Sequence, residues 1–376
     1  MSYIFKNTII LDKKSLWHQQ TVDIEIVNNT ITHITKTGEI IVSPDSIVVD
    51  CKGKFISNGW IDMHVHCYQA ITPLSTEADR IGIHAGVPTL IDCGTAGSQD
   101  FESFVEQMAT KKTDIKAFIN ISSIGISVRT ELTNLDLINE QELIDIYHKF
   151  PNWIVGIKVR ASGSVVGKNG IIPLIQAQKI ARKLDLPIMV HIGNTPPDLL
   201  EIISCLKKGD IITHIYNGKA NNIFQNGEHI HALVRKAVTD GIIFDVGHGT
   251  ESFSFEVAKR ALAQGLDFDT ISTDIYTQNL LGPVYSLANV MSKFLCLDLS
   301  LEDIIDKVTT NPARALKFDD LPEIAVGKSA KLTLFDLQSG VFNFTDSQNF
   351  NFSGLTKIIT HGCFIDGQYY LVKGGI

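Results

Sequence analysis

The sequence predicts an α/β fold: a (β/α)₈ barrel with a small β-sandwich domain formed from both ends of the chain. Three observations support this. The middle of the chain alternates short apolar strands with amphipathic helical segments, the two ends show strand and turn patterns without helices, and polar residues fall where the central strands end. A chain of 376 residues is long enough for both parts.

The two chain ends show the same pattern of short strands separated by turns. The first contains YIFKNTIILD, TVDIEIVNNTITHIT and SIVVDCKGKFI, and the last contains AKLTLFDL, KIITHGCFIDG and QYYLVKG. Asn-Asn and Lys-Gly pairs between these segments are typical of turns. We therefore expect residues 1–55 and 320–376 to form one discontinuous β-sandwich domain. Residues 56–319 then form the barrel.

The middle of the chain contains eight predicted strands. They are FISNGWIDMHVH, VPTLIDCG, IKAFINIS, WIVGIKVR, LPIMVHI, DIITHI, GIIFDVG and DTISTD. Helical patterns lie between them, among them FESFVEQMATKK, IIPLIQAQKIARKL and FSFEVAKRALAQG. A doubly wound open sheet is the alternative, but no G-x-G-x-x-G follows the first strand. Eight strands match the count of a closed barrel.

Residues of metal-ligand type stand at the ends of these strands. His64 and His66 close the first strand and, two residues apart, point to the same face. The others close the fourth, fifth, sixth and eighth strands: Lys158, His191, His214 and Asp274. Because the chemistry of this barrel gathers at the carboxyl ends of its strands, these side chains should meet at one mouth.

Each residue alone has an ordinary structural interpretation. A lone histidine at a strand end is commonly a satisfied polar residue, a strand lysine commonly faces solvent, and an aspartate after a strand commonly caps a helix. Independent structural roles would not all select the same end of successive strands. The joint pattern therefore favours a metal site, and six residues are too many for one tetrahedral ion.

These residues also carry a family resemblance. GWIDMHVH, Lys158, His191, His214 and Asp274 resemble the amidohydrolase superfamily in its binuclear, carboxylated-lysine form. TTNPARALKF and VGKSAKLTLFD resemble that superfamily's passage from barrel to sandwich. More narrowly, IKVRASGSVVG, PIMVHIGNTPP, ITHIYNGK and FDVGHGTESFSF resemble a bacterial amidohydrolase/deacetylase subgroup. The resemblance spans essentially the whole chain.

The resemblance implies a specific centre. Lys158 would be carbamylated by CO₂ to N6-carboxylysine and would bridge two divalent ions. His64, His66 and Asp274 would hold one ion, and His191 and His214 the other. Imidazole and carboxylate ligands suit Zn²⁺ best, although Mn²⁺, Fe²⁺ or Co²⁺ could also bind. Asp274 would also be the catalytic general acid/base, moving a proton from a metal-bridging hydroxide to the leaving group.

Three further residues are candidates for substrate binding. Arg160 shares strand parity with Lys158 and could grip a carboxylate or phosphate, or form a structural ion pair with an acidic loop residue. Tyr216, two residues after His214, could hydrogen-bond a substrate oxygen or could pack. His248 could line the pocket or cap a loop.

The expected function is a metal-dependent hydrolase that cleaves an amide or ester bond of a small, carboxylate-bearing acylated substrate, as a deacetylase does. A cyclic-amide hydrolase resembling dihydroorotase or dihydropyrimidinase is the alternative. A deaminase is less favoured, because deaminases of this superfamily often lack the strand-four lysine. A non-enzymatic homologue would typically have lost metal ligands, and here the whole set is present.

Charge and composition limit the partners. The net charge of −8 and the lack of a Lys/Arg block argue against nucleic acid. No stretch is apolar enough for a membrane span, and the first residues lack a signal-peptide pattern. We expect a cytoplasmic protein with a small-molecule substrate that assembles as a homo-oligomer.

Overall fold

The computed structural model describes residues 1–318 and 323–373, and its strands form two sheets. In chain order the strands are β1 (Ser2–Ile10), β2 (Thr21–Val27), β3 (Thr30–Lys36), β4 (Ser46–Asp50), β5 (Phe55–Asn58), β6 (Ile61–Val65), β7 (Thr89–Cys93), β8 (Asp114–Asn120), β9 (Ile154–Ala161), β10 (Ile188–Ile192), β11 (Ile211–Thr213), β12 (Ile243–Asp245), β13 (Leu332–Thr345), β14 (Asn351–Ile365) and β15 (Gln368–Leu371).

The α-helices lie mainly between the central strands. They are α1 (Ala78–Ile81), α2 (Phe101–Met108), α3 (Glu140–Lys149), α4 (Gly163–Val166), α5 (Ile172–Leu184), α6 (Leu199–Cys205), α7 (Ala232–Thr239), α8 (Phe255–Ala263), α9 (Leu287–Leu295), α10 (Leu301–Asp306) and α11 (Thr310–Ala315). The three helical patterns predicted from the sequence correspond to α2, α5 and α8. Each turns an apolar face inward, as α5 does with Leu174, Ala177 and Ile180.

The central sheet contains seven parallel strands in the order β6 to β12. The segment 270–275 closes it, because Thr270 bridges Asp245 at one edge and Ile275 bridges Val65 at the other. The predicted eighth strand therefore occupies its place in the barrel but is irregular. Its hydroxyl side chains hydrogen-bond buried carboxylates, which competes with a regular ladder. The predicted barrel is confirmed.

The second sheet joins the two chain ends. Its order is β15-β14-β13-β5-β1-β2-β3, with β4 paired to β1. Strand β13 runs antiparallel to β5, and β5 runs parallel to β1. Edge-to-face contacts of the Phe364 ring with Tyr3 and Phe5 form part of its core. This sheet is the predicted β-sandwich domain built from both ends, while the exact domain boundaries stay a prediction.

One predicted strand is divided in the structure. The segment 55–66 forms β5 in the terminal sheet and β6 in the barrel, with a break at Gly59 and Trp60. The amide of Gly59 donates to Lys331 O, and that of Trp60 donates to the Thr333 hydroxyl. A side chain at position 59 would come within 2.6 Å of Pro88, so glycine permits this crossing between sheets.

Among the helices in the described residues, none is both long and apolar enough to cross a membrane.

Candidate metal centre

The six residues predicted as metal ligands meet at the carboxyl end of the barrel. They sit in or directly after β6, β9, β10, β11 and the closing segment: His64, His66, Lys158, His191, His214 and Asp274. Four of these side chains are buried, and His191 and Asp274 are slightly more open. Contacts among them define two groups and a lysine beside the first group.

The first group is formed by His64, His66 and Asp274. Asp274 Oδ1 lies 3.2 Å from His66 Nε2 and 3.5 Å from His64 Nε2. One donor atom from each of the three residues lies within 4.8 Å of the others. Two imidazoles and a carboxylate at this spacing can bind one divalent ion.

The second group is a pair of histidines. His191 Nδ1 lies 2.8 Å from His214 Nε2, and the two rings are nearly perpendicular. The ring of His214 is also 5.2 Å from that of His64, so the two groups are adjacent. This arrangement can offer two further nitrogen donors beside the first group.

Lys158 lies next to the first group. Its Nζ is 3.0 Å from His64 Nε2 and 3.4 Å from Met189 Sδ. Among the described residues, no carboxylate forms an ion pair with it within 4.0 Å. Burial lowers the pKa of Lys158, because an ammonium group loses its hydration there. Burial therefore shifts the protonation equilibrium toward the neutral amine, which is the nucleophilic form.

A threonine and a carboxylate orient His64. The Thr213 hydroxyl donates to Asp245 Oδ2 at 2.7 Å, so toward His64 Nδ1, at 2.9 Å, it can only accept. His64 therefore carries its proton on Nδ1, and its Nε2 lone pair points toward Asp274 and Lys158. This partner fixes the tautomer that a metal ligand requires.

The same arrangement recurs at His66. The Thr95 hydroxyl donates to Asp92 Oδ2 at 2.8 Å and accepts from His66 Nδ1–H at 2.8 Å. At His214, Nδ1–H donates to Gly247 O at 2.6 Å. His64, His66 and His214 thus each have an unprotonated Nε2, the form of the ring that can bind a cation.

Burial disfavours the charged form of three of these histidines. It lowers the pKa of His64 and His191 well below the ordinary range, and nearby positive groups lower both further. It lowers the pKa of His214 to about 4. Burial alone would raise the pKa of Asp274, but the adjacent imidazoles of His66 and His214 lower it overall. Neutral imidazoles beside an ionised carboxylate are the forms that bind metal.

Two of these residues have left-handed backbone conformations. His214 has φ of 71° and Asp274 has φ of 49°. Residues other than glycine rarely adopt this region, and each such residue typically costs about 1–3 kcal/mol. Such strain persists where the surrounding structure enforces it, and it concentrates at functional sites.

A cavity of about 390 Å³ opens above these residues, and His66, His191 and Asp274 contribute to its wall. Arg160 also lines it, and Arg160 Nη1 donates to both carboxylate oxygens of Glu131, at 3.0 and 3.1 Å. Burial raises the pKa of Glu131, and the charge of Arg160 partly offsets this. Arg160 thus forms the ion pair considered for it and also faces the cavity. Its contact with substrate stays a prediction.

The other two substrate-binding candidates do not line this cavity. Tyr216 is fully buried, its hydroxyl donates to Leu266 O, and its ring packs on Phe268. The left-handed turn at His214 ends the strand alternation from which a pocket position had been predicted. His248 is buried beneath the loop, where it contacts Lys293 and stacks on Phe253. The structure thus corrects the pocket prediction for both residues.

Sequence reasoning missed several residues of the cavity wall. They are Arg129, Ser162, Lys219, Thr250 and Tyr276. Two of them had a usable signal: Tyr276 stands two residues after Asp274, and Lys219 belongs to the ITHIYNGK segment. The Tyr276 hydroxyl shares a hydrogen bond of 2.7 Å with Thr250, and burial raises its pKa to about 12.

Comparison with known proteins identifies the family of this chain. The sequence profile of the Amidohydrolase family matches residues 55–369. The chain belongs to the amidohydrolase family. A deacetylase of Enterococcus faecalis is 39% identical over 321 residues, which are 85% of this chain and 87% of that protein.

Solved structures of other amidohydrolases share the fold. A crystal structure of an adenine deaminase has a TM-score of 0.91 and 36% identity, covering 98% of this chain and 99% of that one. A crystal structure of a dihydroorotase has a TM-score of 0.93 and 32% identity, covering 98% and 97%. The chain is a hydrolase that acts on C–N bonds, and its family is generally metal-dependent. The His64, His66 and Asp274 group is a possible metal site within it.

Proposed function

We propose that this amidohydrolase removes the acyl group, in the manner of a deacetylase, from a small molecule that bears a carboxylate, cleaving an amide or ester bond. One observation carries the proposal: the cavity that contains the metal-ligand residues also has a cationic wall. Arg160, Arg129 and Lys219 line it, as do the acidic residues Glu251 and Asp274. Arg160 is paired with Glu131 from behind, and Lys219 Nζ lies 3.8 Å from Glu251 Oε2. The likeness to the deacetylase of Enterococcus faecalis supports the reaction type.

The residues fit a centre of two divalent ions, with Zn²⁺ the favoured metal. His64, His66 and Asp274 would hold one ion, His191 and His214 the other, and carbamylated Lys158 would bridge them. The support is the set of unprotonated imidazole nitrogens and the buried amine of Lys158, which forms no ion pair with a carboxylate among the described residues. When bound, such a centre lowers the pKa of water and polarises a carbonyl.

The residues of the chain would then do three things. Asp274 is held ionised beside His66 and accepts a proton from the attacking water, then donates it to the departing nitrogen or oxygen. Arg160, fixed on one side by Glu131, binds the substrate carboxylate with its remaining N–H groups. The Tyr276 hydroxyl, fixed by Thr250, limits the space left for the acyl group.

A cyclic-amide hydrolase is the second candidate. The dihydroorotase structure supports it through a TM-score of 0.93, and a cyclic amide that bears a carboxylate would also suit the cationic wall. The adenine deaminase structure is equally similar in fold. Adenine carries no carboxylate, however, so the N–H groups of Arg160 that Glu131 leaves free would have no anionic substrate group to bind.

A substrate panel distinguishes these candidates. Zinc-loaded protein is incubated with N- and O-acetylated amino and hydroxy acids, both stereoisomers of each, with dihydroorotate and with adenine. The proposal predicts release of acetate from an acetylated acid, with one stereoisomer preferred. Hydrolysis of dihydroorotate or release of ammonia from adenine, without acetate release in the panel, would overturn it.

The lysine bridge has its own test. Lys158→Ala should lose one or both metals together with activity, because the bridging carboxylate is gone. Added acetate or propionate should restore part of both by placing a carboxylate in the vacated space, whereas acetamide should not. Elemental analysis gives the metal content independently of activity. A Lys158→Ala protein that keeps two metals and near-normal turnover without added acid would contradict the bridge.

The expectations on assembly and location stay predictions. We propose a cytoplasmic homo-oligomer that acts on a small molecule, without a nucleic-acid or membrane partner. The net charge of −8 supports the exclusion of nucleic acid.

A further inference from the structure

A buried lysine lies behind the candidate site. Lys293, in the last turn of α9, is 0% exposed, and its Nζ has three acceptors. It donates to His248 Nε2 at 2.6 Å, to Thr345 O at 2.7 Å and to Pro283 O at 2.9 Å. These contacts join helix α9, the loop after β12, the end of β13 and the segment before α9. A lysine with all three protons used and no exposure is a structural junction.

The contact with His248 extends this junction toward the barrel mouth. His248 Nδ1–H donates to Gly249 O at 2.8 Å, so its Nε2 is free to accept from Lys293. Its ring stacks on Phe253 with 4.7 Å between centroids. Burial lowers the pKa of Lys293 to about 7, and the three acceptors around Nζ favour the protonated amine.

The turn between β13 and β14 holds the same loop from the other side. The Ser347 hydroxyl donates to Gly249 O at 3.1 Å or to His248 O at 3.3 Å, and it accepts from the amide of Phe253. The Ser347 amide donates to Phe253 O at 3.0 Å. The terminal sheet therefore reaches the barrel mouth and contacts the loop after β12.

The loop held in this way touches Asp274. Gly249 has φ of 56°, and a Cβ atom on it would lie 2.5 Å from Asp274 Oδ2. Its amide donates to Thr273 O at 2.9 Å. The backbone of Gly249 therefore forms one wall of the space around the Asp274 carboxylate. A shift of this loop would open that space.

We propose that Lys293 and His248 are positioning residues that, with Ser347 of the terminal sheet, hold Gly249 against the carboxylate of Asp274. The proposal rests on the proposed proton-transfer role of Asp274. In this proposal the terminal sheet contributes to the active site, because the β13–β14 turn hydrogen-bonds the loop after β12 and holds it in place. Because Lys293 contacts none of the six metal-ligand residues, its effect on turnover passes through the loop.

Two variants test the proposal. Lys293→Met keeps the length of the side chain but removes its three hydrogen bonds. Ser347→Ala removes the donated and the accepted hydrogen bond of a hydroxyl in a half-buried turn. Lys307→Met is the matched control. Lys307 is also a buried lysine, but it bonds Asp267 and Phe268 O at the opposite end of the closing segment.

Amide hydrogen exchange of the whole protein is measured in peptides covering 247–254, where the amides of His248, Gly249 and Phe253 are hydrogen-bonded. We expect roughly tenfold faster exchange there in Lys293→Met and a smaller increase in Ser347→Ala. In the zinc-loaded protein, kcat should fall roughly 10²-fold in Lys293→Met with little change in KM or metal content. Lys307→Met should leave exchange in 247–254 and kcat unchanged.

Unchanged exchange in 247–254, or an equal increase in Lys307→Met, would overturn the proposal. Faster exchange with unchanged kcat would overturn the positioning role. If the wild-type protein hydrolyses nothing in the substrate panel, the proposed function fails, and the exchange data still show whether Lys293 and Ser347 hold the loop.

Discussion

Replacement of Thr213 by valine should weaken metal binding while leaving the fold intact. The Thr213 hydroxyl connects two buried groups, because it accepts from His64 Nδ1–H and donates to Asp245 Oδ2. Valine has nearly the same shape but neither donates nor accepts. The variant therefore removes the orientation of the His64 ring and no ligand atom.

The size of the effect follows from the contacts that are lost. His64 Nδ1 is 3.8 Å from Asp245 Oδ2, so the carboxylate cannot replace the hydroxyl without movement. Asp245 keeps hydrogen bonds from Ser272 and Thr270. The unpaired group is therefore the imidazole N–H, which costs about 1–3 kcal/mol when buried. Loss of such a partner typically weakens metal binding about 10- to 100-fold.

Competition of Zn²⁺ between the protein and a chelator measures the affinity, and denaturant unfolding of metal-free protein measures the stability. Thr8→Val is a matched control, since Thr8 is also fully buried and, within the part of the chain that the structure describes, its hydroxyl bonds only Lys54 O, in the terminal sheet. The control should bind Zn²⁺ like the wild type. A Thr213→Val protein with wild-type affinity would refute the role of this hydroxyl.

Three other perturbations test the site. Asp274→Asn should lower kcat about 10²–10⁴-fold while keeping most metal, and more than about a tenth of the wild-type rate would show that another group moves the proton. Arg160→Lys should raise KM more than it lowers kcat, and an unchanged KM with a lower Tm would leave only the ion pair with Glu131. Metal-free protein should lose stability as the pH falls from about 6.5 to 4, because unfolding releases His214 from a site where its pKa is about 4. The difference from the ordinary value of 6.5 corresponds to about 3 kcal/mol, and denaturant unfolding that gives the same stability at both pH values would contradict it.

Strand periodicity predicted the part of the site that lies on regular strands. Lys158 and Arg160 both face the barrel mouth, as two residues of equal parity on β9 should. The rule fails where a strand ends. Residue 214 is left-handed, so the alternation that would have placed Tyr216 in the pocket no longer holds. Glycine with positive φ on both sides of His248 has the same effect.

The supporting contacts could not be found from the sequence, because they join residues far apart along the chain. Thr95 supports a histidine 29 residues away, and Thr213 supports one 149 residues away. A threonine beside a strand is too common to mark such a role. The closing segment was predicted as a strand because it takes the last place in the alternation of strands and helices. Its irregularity depends on Asp62 and Asp245, whose burial is a property of the closed barrel.

The carboxylates of Asp62 and Asp245 connect the surroundings of His64 with those of Asp274. Asp245 accepts from Thr213, which orients His64, and also from Thr270 and Ser272 in the closing segment. Asp62 accepts from the amide and the hydroxyl of Thr273, directly before Asp274. The orientation of His64 and the left-handed backbone at Asp274 therefore share buried partners and cannot be set independently. Since both residues would bind the same ion, this coupling keeps their donor atoms in register before any metal binds.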